Sequence, residues 1–158
     1  METTDFLFMK EALIEAQNGF EIGEVPVGAV LVYQNQIIAR SFNRVESLMD
    51  ATAHAEMRCV RQGSEILENW RLSGCTLYTT LEPCPMCAGA LISSRVDRVV
   101  WGASDLRQGA GGSLINLLGQ NHPIHTVQTS FGVLAQESAL LMQSFFQGRR
   151  KWKKSLIN

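Results

Sequence analysis

A chain of 158 residues that is 46% hydrophobic and 18% charged has the apolar content for the core of one globular domain, expected over residues 1–158. Its formal net charge of −1 excludes a generic polyanion binder, and no apolar run is long enough to cross a bilayer, which excludes a membrane protein. The start, Met1-Glu2-Thr3-Thr4-Asp5, is acidic where a secretory leader is basic. A cytoplasmic protein is expected, in which four cysteines point to metal or catalysis before disulfides.

In chain order, residues 4–18 have the apolar spacing of an amphipathic helix, with Thr4 or Asp5 as its cap and Gly19 as its end. Pro26 precedes a buried strand over 27–33. Gln34-Asn35-Gln36 then turns the chain into a second strand over 37–42. A polar loop, 43–52, leads to Thr52, the expected N-cap of a helix over 53–62 that Gly63 stops. A third strand follows at 75–80. Pro83 and Pro85 then sit where a helix begins, a place that tolerates proline, and this helix runs to about Ser94. A fourth strand is expected over 96–103, a Gly-rich loop over 104–113, a short helix over 113–118, a strand over 126–131 and a last helix from Ala135 past Phe146. No internal repeat or linker interrupts this order. Strands alternating with helices give an α/β layered domain. The first two strands form a hairpin and the later ones can run parallel, so the sheet is expected to be mixed.

Charge is unevenly placed. Residues 149–154 hold five of the 14 basic residues and no acidic one, so an acidic body carries a basic tail at about 147–158. That pattern accompanies nucleic-acid contact; the plainer alternative is a solvated terminus.

The chemistry concentrates in two segments, Thr52-Ala53-His54-Ala55-Glu56 and Glu82-Pro83-Cys84-Pro85-Met86-Cys87, each opening a predicted helix. Cys84 and Cys87 are three apart and share a helix face. In a first turn, the helix dipole and free N–H groups favour their thiolates. Two thiolates and the His54 imidazole fill three positions of a tetrahedral zinc. A structural site fills the fourth with protein; a catalytic one leaves it to water. Glu56, two residues past His54, is badly spaced for a further ligand and well spaced for a base that faces the water. Cys59 should point away from His54, and with Cys75 it is read as a buried reduced thiol. His122 and His125 fall in a later loop, as surface or capping residues. A lone C-x-x-C is also found in zinc knuckles and redox sites, but the accompanying His and Glu favour a catalytic zinc.

H-x-E followed by P-C-x-x-C resembles the zinc nucleobase deaminases. Further segments resemble, within that superfamily, the bacterial tRNA-specific adenosine deaminases. These are Glu24-Val25-Pro26-Val27-Gly28-Ala29-Val30, Asn43-Arg44 before the first metal segment, Leu81 through Ala90, Asp105 with Gly109-Ala110-Gly111-Gly112-Ser113, and Phe145-Phe146-Gln147-Gly148-Arg149-Arg150. The likeness covers nearly the whole chain. Ala51, Ser104 and Gly111 depart from the residues usual in the family, which bears on fine contacts and not on the chemistry.

The resemblance implies a cytidine-deaminase-like three-layer α/β/α sandwich with a mixed five-stranded sheet, a homodimer and one Zn2+ per subunit. It implies hydrolytic conversion of adenosine to inosine at the wobble position of a tRNA anticodon, with an arginine tRNA as partner. His54, Cys84 and Cys87 would hold the metal and Glu56 would move protons. Asn43 would hydrogen-bond the splayed-out purine, and Asp105 would contact a sugar hydroxyl, one way to sense RNA. Phe146 would border the anticodon, with one of the two phenylalanines serving as helix core. Arg149 and Arg150 would pair phosphates. Val27, Val30 and Leu81 are candidate walls of the base pocket, and Ala55 a further substrate contact. The alternatives are a free-base deaminase acting on guanine or cytosine and a non-catalytic zinc protein that binds RNA.

Overall fold

The computed structural model describes residues 3–157. Met1, Glu2 and Asn158, parts of the expected domain and tail, lie outside the described residues.

Thr3, not Thr4 or Asp5, caps the first helix. Its side chain accepts the Phe6 N–H at 3.2 Å, and α1 runs over Thr4–Glu21. Asp5 is free to bind elsewhere: both its oxygens accept from Arg98 at 2.7 Å, and the Tyr78 hydroxyl donates to it at 2.9 Å. This ties α1 to the sheet. Gly19 does not end the helix. It sits inside α1, where a Cβ would press on the Phe42 ring, so the residue serves packing.

The hairpin forms as expected. β1 (Gly28–Tyr33) and β2 (Gln36–Phe42) pair antiparallel. Gln34 and Asn35, with φ of 48° and 64°, make the tight turn that suits strand twist. β1 also pairs antiparallel with β3 (Cys75–Leu81). β4 (Arg98–Ala103) and β5 (Gln128–Phe131) then add in parallel, giving the order β2-β1-β3-β4-β5. The sheet is mixed and five-stranded.

The expected polar loop contains a short helix, α2 (Val45–Leu48). The helix expected from Ala53 begins later. Thr52 donates from its backbone and hydroxyl to Asp50 at 2.9 and 2.7 Å and caps nothing. His54 is the N-cap of α3 (Ala55–Leu67). Gly63 again is no stop: a Cβ there would drive into Leu31, and α3 needs that bare position to lie close on β1. α4 (Pro85–Ser93) starts at the N-cap Cys84 with Pro85 in its first turn, where the missing N–H costs no hydrogen bond. The expected helix over 113–118 is a set of turns, because Ser113 is drawn onto Glu82 and Gly111 bridges to Asn116. The last helix, α5, spans Ala135–Ile157.

The central strands of the sheet are buried on both faces. Ala29, Leu31, Leu77 and Val99 pack with Ala55, Cys59, Ala88 and Leu91 of α3 and α4. Val30, Val32, Tyr78 and Val100 pack with Met9 and Ala12 of α1, beside which α5 lies. The result is three layers, helix on sheet on helix. No helix of the described residues is long and apolar enough to cross a membrane.

Candidate active site

α4 leaves directly from the end of β3, and α3 begins after β2 on the same face. The two helix starts meet, and their N-cap residues bring the donors together. His54 Nδ1 lies 3.5 Å from Cys84 Sγ and 3.5 Å from Cys87 Sγ. The three donor atoms lie within 4.8 Å of one another. One imidazole and two thiols so grouped, one face open to a cavity, fit a zinc ion with a free fourth position. The three donors are coupled to one another through hydrogen bonds. The Cys87 thiol donates to Cys84 and, with His54, holds the Cys84 thiol down at about 4. His54 is raised in turn by the bond to Cys84.

Glu56 stands in the first turn of α3, only 3% exposed. Thr79 Oγ1, on β3, donates to its Oε1 at 3.4 Å. Burial pushes the carboxyl above its ordinary range, which suits a group that holds and releases a proton.

Above this cluster opens a cavity of about 530 Å³, within the span of small-molecule sites. His54, Glu56 and Cys84 line its floor, and Val27, Leu81, Asn43, Asp105 and Phe146 line its walls. Asn43 is held: its Oδ1 accepts the Ala55 N–H at 2.8 Å. Asp105 Oδ1 accepts from Arg107 and Gln108 N–H at 3.0 and 3.2 Å, turning its loop.

Not every expected contact gathers here. Val30 faces the other side of the sheet, against α1, because side chains alternate along a strand and Val27 and Val30 are three apart. Ala55 is fully buried under the cavity floor and meets Asn43 through its backbone. Arg149 and Arg150 are exposed beyond the rim on α5. Arg149 lies over the Phe145 ring at 4.9 Å and donates to the Gly23 carbonyl at 3.3 Å. Phe145 is the core member of its pair at 7% exposure, and Phe146 faces the cavity at 40%. Cys59 and Cys75 are buried, with thiols pushed up to about 12 and about 11 by burial. His125 bonds the Val96 carbonyl at 2.7 Å, and His122 accepts the Ile124 N–H at 3.2 Å.

Two buried carboxylates on the cavity wall escaped the sequence reading. Glu24 accepts from Glu46 and Ser47 N–H at 3.3 and 2.6 Å, at the start of α2. Glu82 accepts from the 105–113 loop. Each lies within two residues of a proline at the edge of an apolar strand, and a charge placed there was the available signal.

The profile of the cytidine and deoxycytidylate deaminase zinc-binding region matches residues 2–103. The tRNA-specific adenosine deaminase of Bacillus subtilis is 48% identical over 97% of this chain and 95% of its own length. A chloroplastic tRNA adenine deaminase of Arabidopsis thaliana is 52% identical over 93% of this chain, which spans only 12% of that protein. A structure solved in a study of A-to-I editing by tRNA deaminases at the wobble position superposes with a TM-score of 0.82. It is 44% identical, over 85% of this chain and 98% of that one.

Proposed function

Because the chain belongs to the cytidine and deoxycytidylate deaminase family, and within it to the tRNA-specific adenosine deaminases, we infer that it hydrolyses adenosine to inosine at the wobble position of a tRNA anticodon. One observation carries the reading: a buried carboxylic acid, Glu56, stands beside a His-Cys-Cys donor cluster on the floor of a cavity of about 530 Å³, roomy enough for a purine nucleoside.

His54, Cys84 and Cys87 would hold the zinc. When bound, it activates water as a nucleophile near neutral pH. Glu56 would take a proton from the attacking water and pass it to N1 of the adenine as the water oxygen bonds to C6. Glu56 then carries the second proton to the amino group, the C6–N bond breaks, and ammonia leaves the 6-oxo purine. Thr79 holds Glu56 in place through its hydroxyl. Val27 and Leu81 keep the base dry, and Asn43 offers its amide N–H donors to a ring nitrogen, its oxygen being spent on Ala55. Asp105 meets a sugar hydroxyl and Phe146 borders the flanking nucleotides. The exposed cations of α5, Arg150 first among them, pair phosphates. The same reading carries a homodimer acting in the cytoplasm, with an arginine tRNA among its substrates.

The test incubates zinc-loaded protein with an unmodified arginine tRNA transcript carrying A at the wobble position, followed by reverse transcription and sequencing. Guanine, cytosine and adenosine are assayed in parallel for ammonia. Wobble A read as G, with no ammonia from the free compounds, is expected. Ammonia from a free base and an unchanged tRNA would leave the zinc chemistry and overturn the substrate.

A further inference from the structure

Glu82 has no part in the proton path, yet its carboxylate is 3% exposed and heavily engaged. Oε1 accepts the Asp105 N–H at 3.2 Å and the Ser113 hydroxyl. Oε2 accepts the N–H groups of Gly111 at 2.9 Å and of Ser113 at 3.2 Å. One side chain thus gathers both ends of the 105–113 loop. The neighbouring backbone does the same, since the Ala110 N–H bonds the Pro83 carbonyl at 2.8 Å and the Glu82 N–H bonds Ala103 at 2.9 Å. Gly109 fits this arrangement because a Cβ there would strike the Glu82 carboxylate itself.

The loop so held forms one wall of the cavity through Asp105, Leu106, Arg107 and Gln108. Glu82 is also two residues from Cys84, directly after the end of β3. Its carboxylate therefore fixes the distance between the donor cluster and the wall that carries Asp105. A buried anion that accepts several N–H groups holds a loop more firmly than neutral contacts do. A bare loop of this length, rich in glycine, would otherwise lose much freedom on closing.

We propose that Glu82 is a positioning residue for substrate: it sets the loop that carries Asp105 against the donor cluster, so its loss weakens substrate binding and leaves the chemical step intact. The proposal rests on the deaminase reading above. The Glu82 carboxylate is engaged with Asp105, Gly111 and Ser113 of the loop, apart from Glu56 and the donor atoms, so the proton transfers do not depend on it. An amide at this position would turn a donor toward the loop N–H groups, and Glu82→Gln therefore breaks the cradle with little change in shape.

The experiment measures kcat and KM for zinc-loaded full-length protein on an anticodon stem-loop RNA with A at the wobble position. Glu82→Gln, Asp105→Ala and the double variant form a cycle, with zinc content measured for each. Glu82→Gln is expected to raise KM about tenfold and to leave kcat within about twofold, with stoichiometric zinc. On the Asp105→Ala background it should add nothing further, because the residue through which it acts is gone. A fall in kcat at unchanged KM, an unchanged enzyme, or KM effects that multiply would each overturn the proposal. If Glu82→Gln fails to fold, Ser113→Ala removes one donor from the same carboxylate and gives the same cycle. A parent enzyme that leaves the stem-loop unchanged would overturn the substrate reading and the proposal with it. An active parent with multiplying losses overturns the role of Glu82 alone.

Discussion

Asn43 Oδ1 accepts the Ala55 N–H at 2.8 Å, so the end of β2 caps the start of α3 from outside the helix. The N-cap residue of α3, His54, makes no such bond with its own side chain. The asparagine relieves the His54 side chain of a capping role and leaves its ring to the donor cluster. Replacing a capping oxygen removes roughly 1–2 kcal/mol. Asn43→Ala should lower Tm by several degrees and lower activity further than stability alone explains. Asn43→Asp keeps the acceptor and should recover most of the Tm while activity stays low. Thermal melts beside kcat/KM measurements separate the two roles.

Glu56 is enclosed beside the donor cluster without being one of its members. Glu56→Ala should therefore retain stoichiometric zinc while turnover falls by about 10²–10⁴-fold, the range of proton-transfer catalysis. A metal assay with single-turnover kinetics checks both. A near-normal rate would remove Glu56 from the mechanism.

Cys87 is a fully buried donor at the third residue of α4. Cys87→Ser should lose the metal and, with it, all turnover, and the melt of the purified protein should no longer respond to added zinc. Retained stoichiometric zinc would count against the donor set.

The Asp5 carboxyl is held below its ordinary 3.8 by the paired hydrogen bonds from Arg98, against the opposing effect of burial. A lowered folded value means that the stabilisation is complete above the ordinary value and is lost as pH falls through the lowered one. Asp5→Asn should therefore lower Tm by a similar amount at pH 7 and pH 5, about 1–2 kcal/mol in stability. The gap to the parent should close only in the acid range below about pH 4. Melts across that range decide; a gap that closes between pH 5 and 7 would mean a different group is responsible.

Arg149 and Arg150 are neighbours with different surroundings. Arg149 leans on Phe145 and the Gly23 carbonyl, whereas Arg150 is simply exposed. Arg150→Ala should weaken stem-loop binding, reduce the slope of log K against log salt by about 0.7, and leave Tm unchanged. Arg149→Ala should weaken binding and also lower Tm by roughly a degree or two. Binding measured over a salt series, with melts of both variants, distinguishes them.

The donor set was legible because its chemistry resides in residue types: few roles bring a histidine, a glutamate and a spaced cysteine pair to two helix starts. The hairpin and the mixed character of the sheet followed from turn chemistry and the alternation of strands with helices. Helix ends were less legible. Gly19 and Gly63 look like stop signals in a sequence, but each is a bare spot where a helix lies against another element, and only the packed partners Phe42 and Leu31 reveal that. Thr52 has the residue type of a cap and is claimed by Asp50. Val30 was placed at the cavity because β1 is apolar throughout, and a strand buried on both faces hides which face is which. The loop over 113–118 has helix-like spacing that the Glu82 carboxylate overrides.

His54 and Cys84 are 30 residues apart in the chain and are the N-cap residues of two different helices, α3 and α4. A zinc ion that takes both is a reversible cross-link. It closes a long loop and removes from the unfolded ensemble the freedom of everything between, as a disulfide would. A candidate metal site placed here would thus also be a clasp, and a change of donor that altered the metal would also reset how the chain is tied.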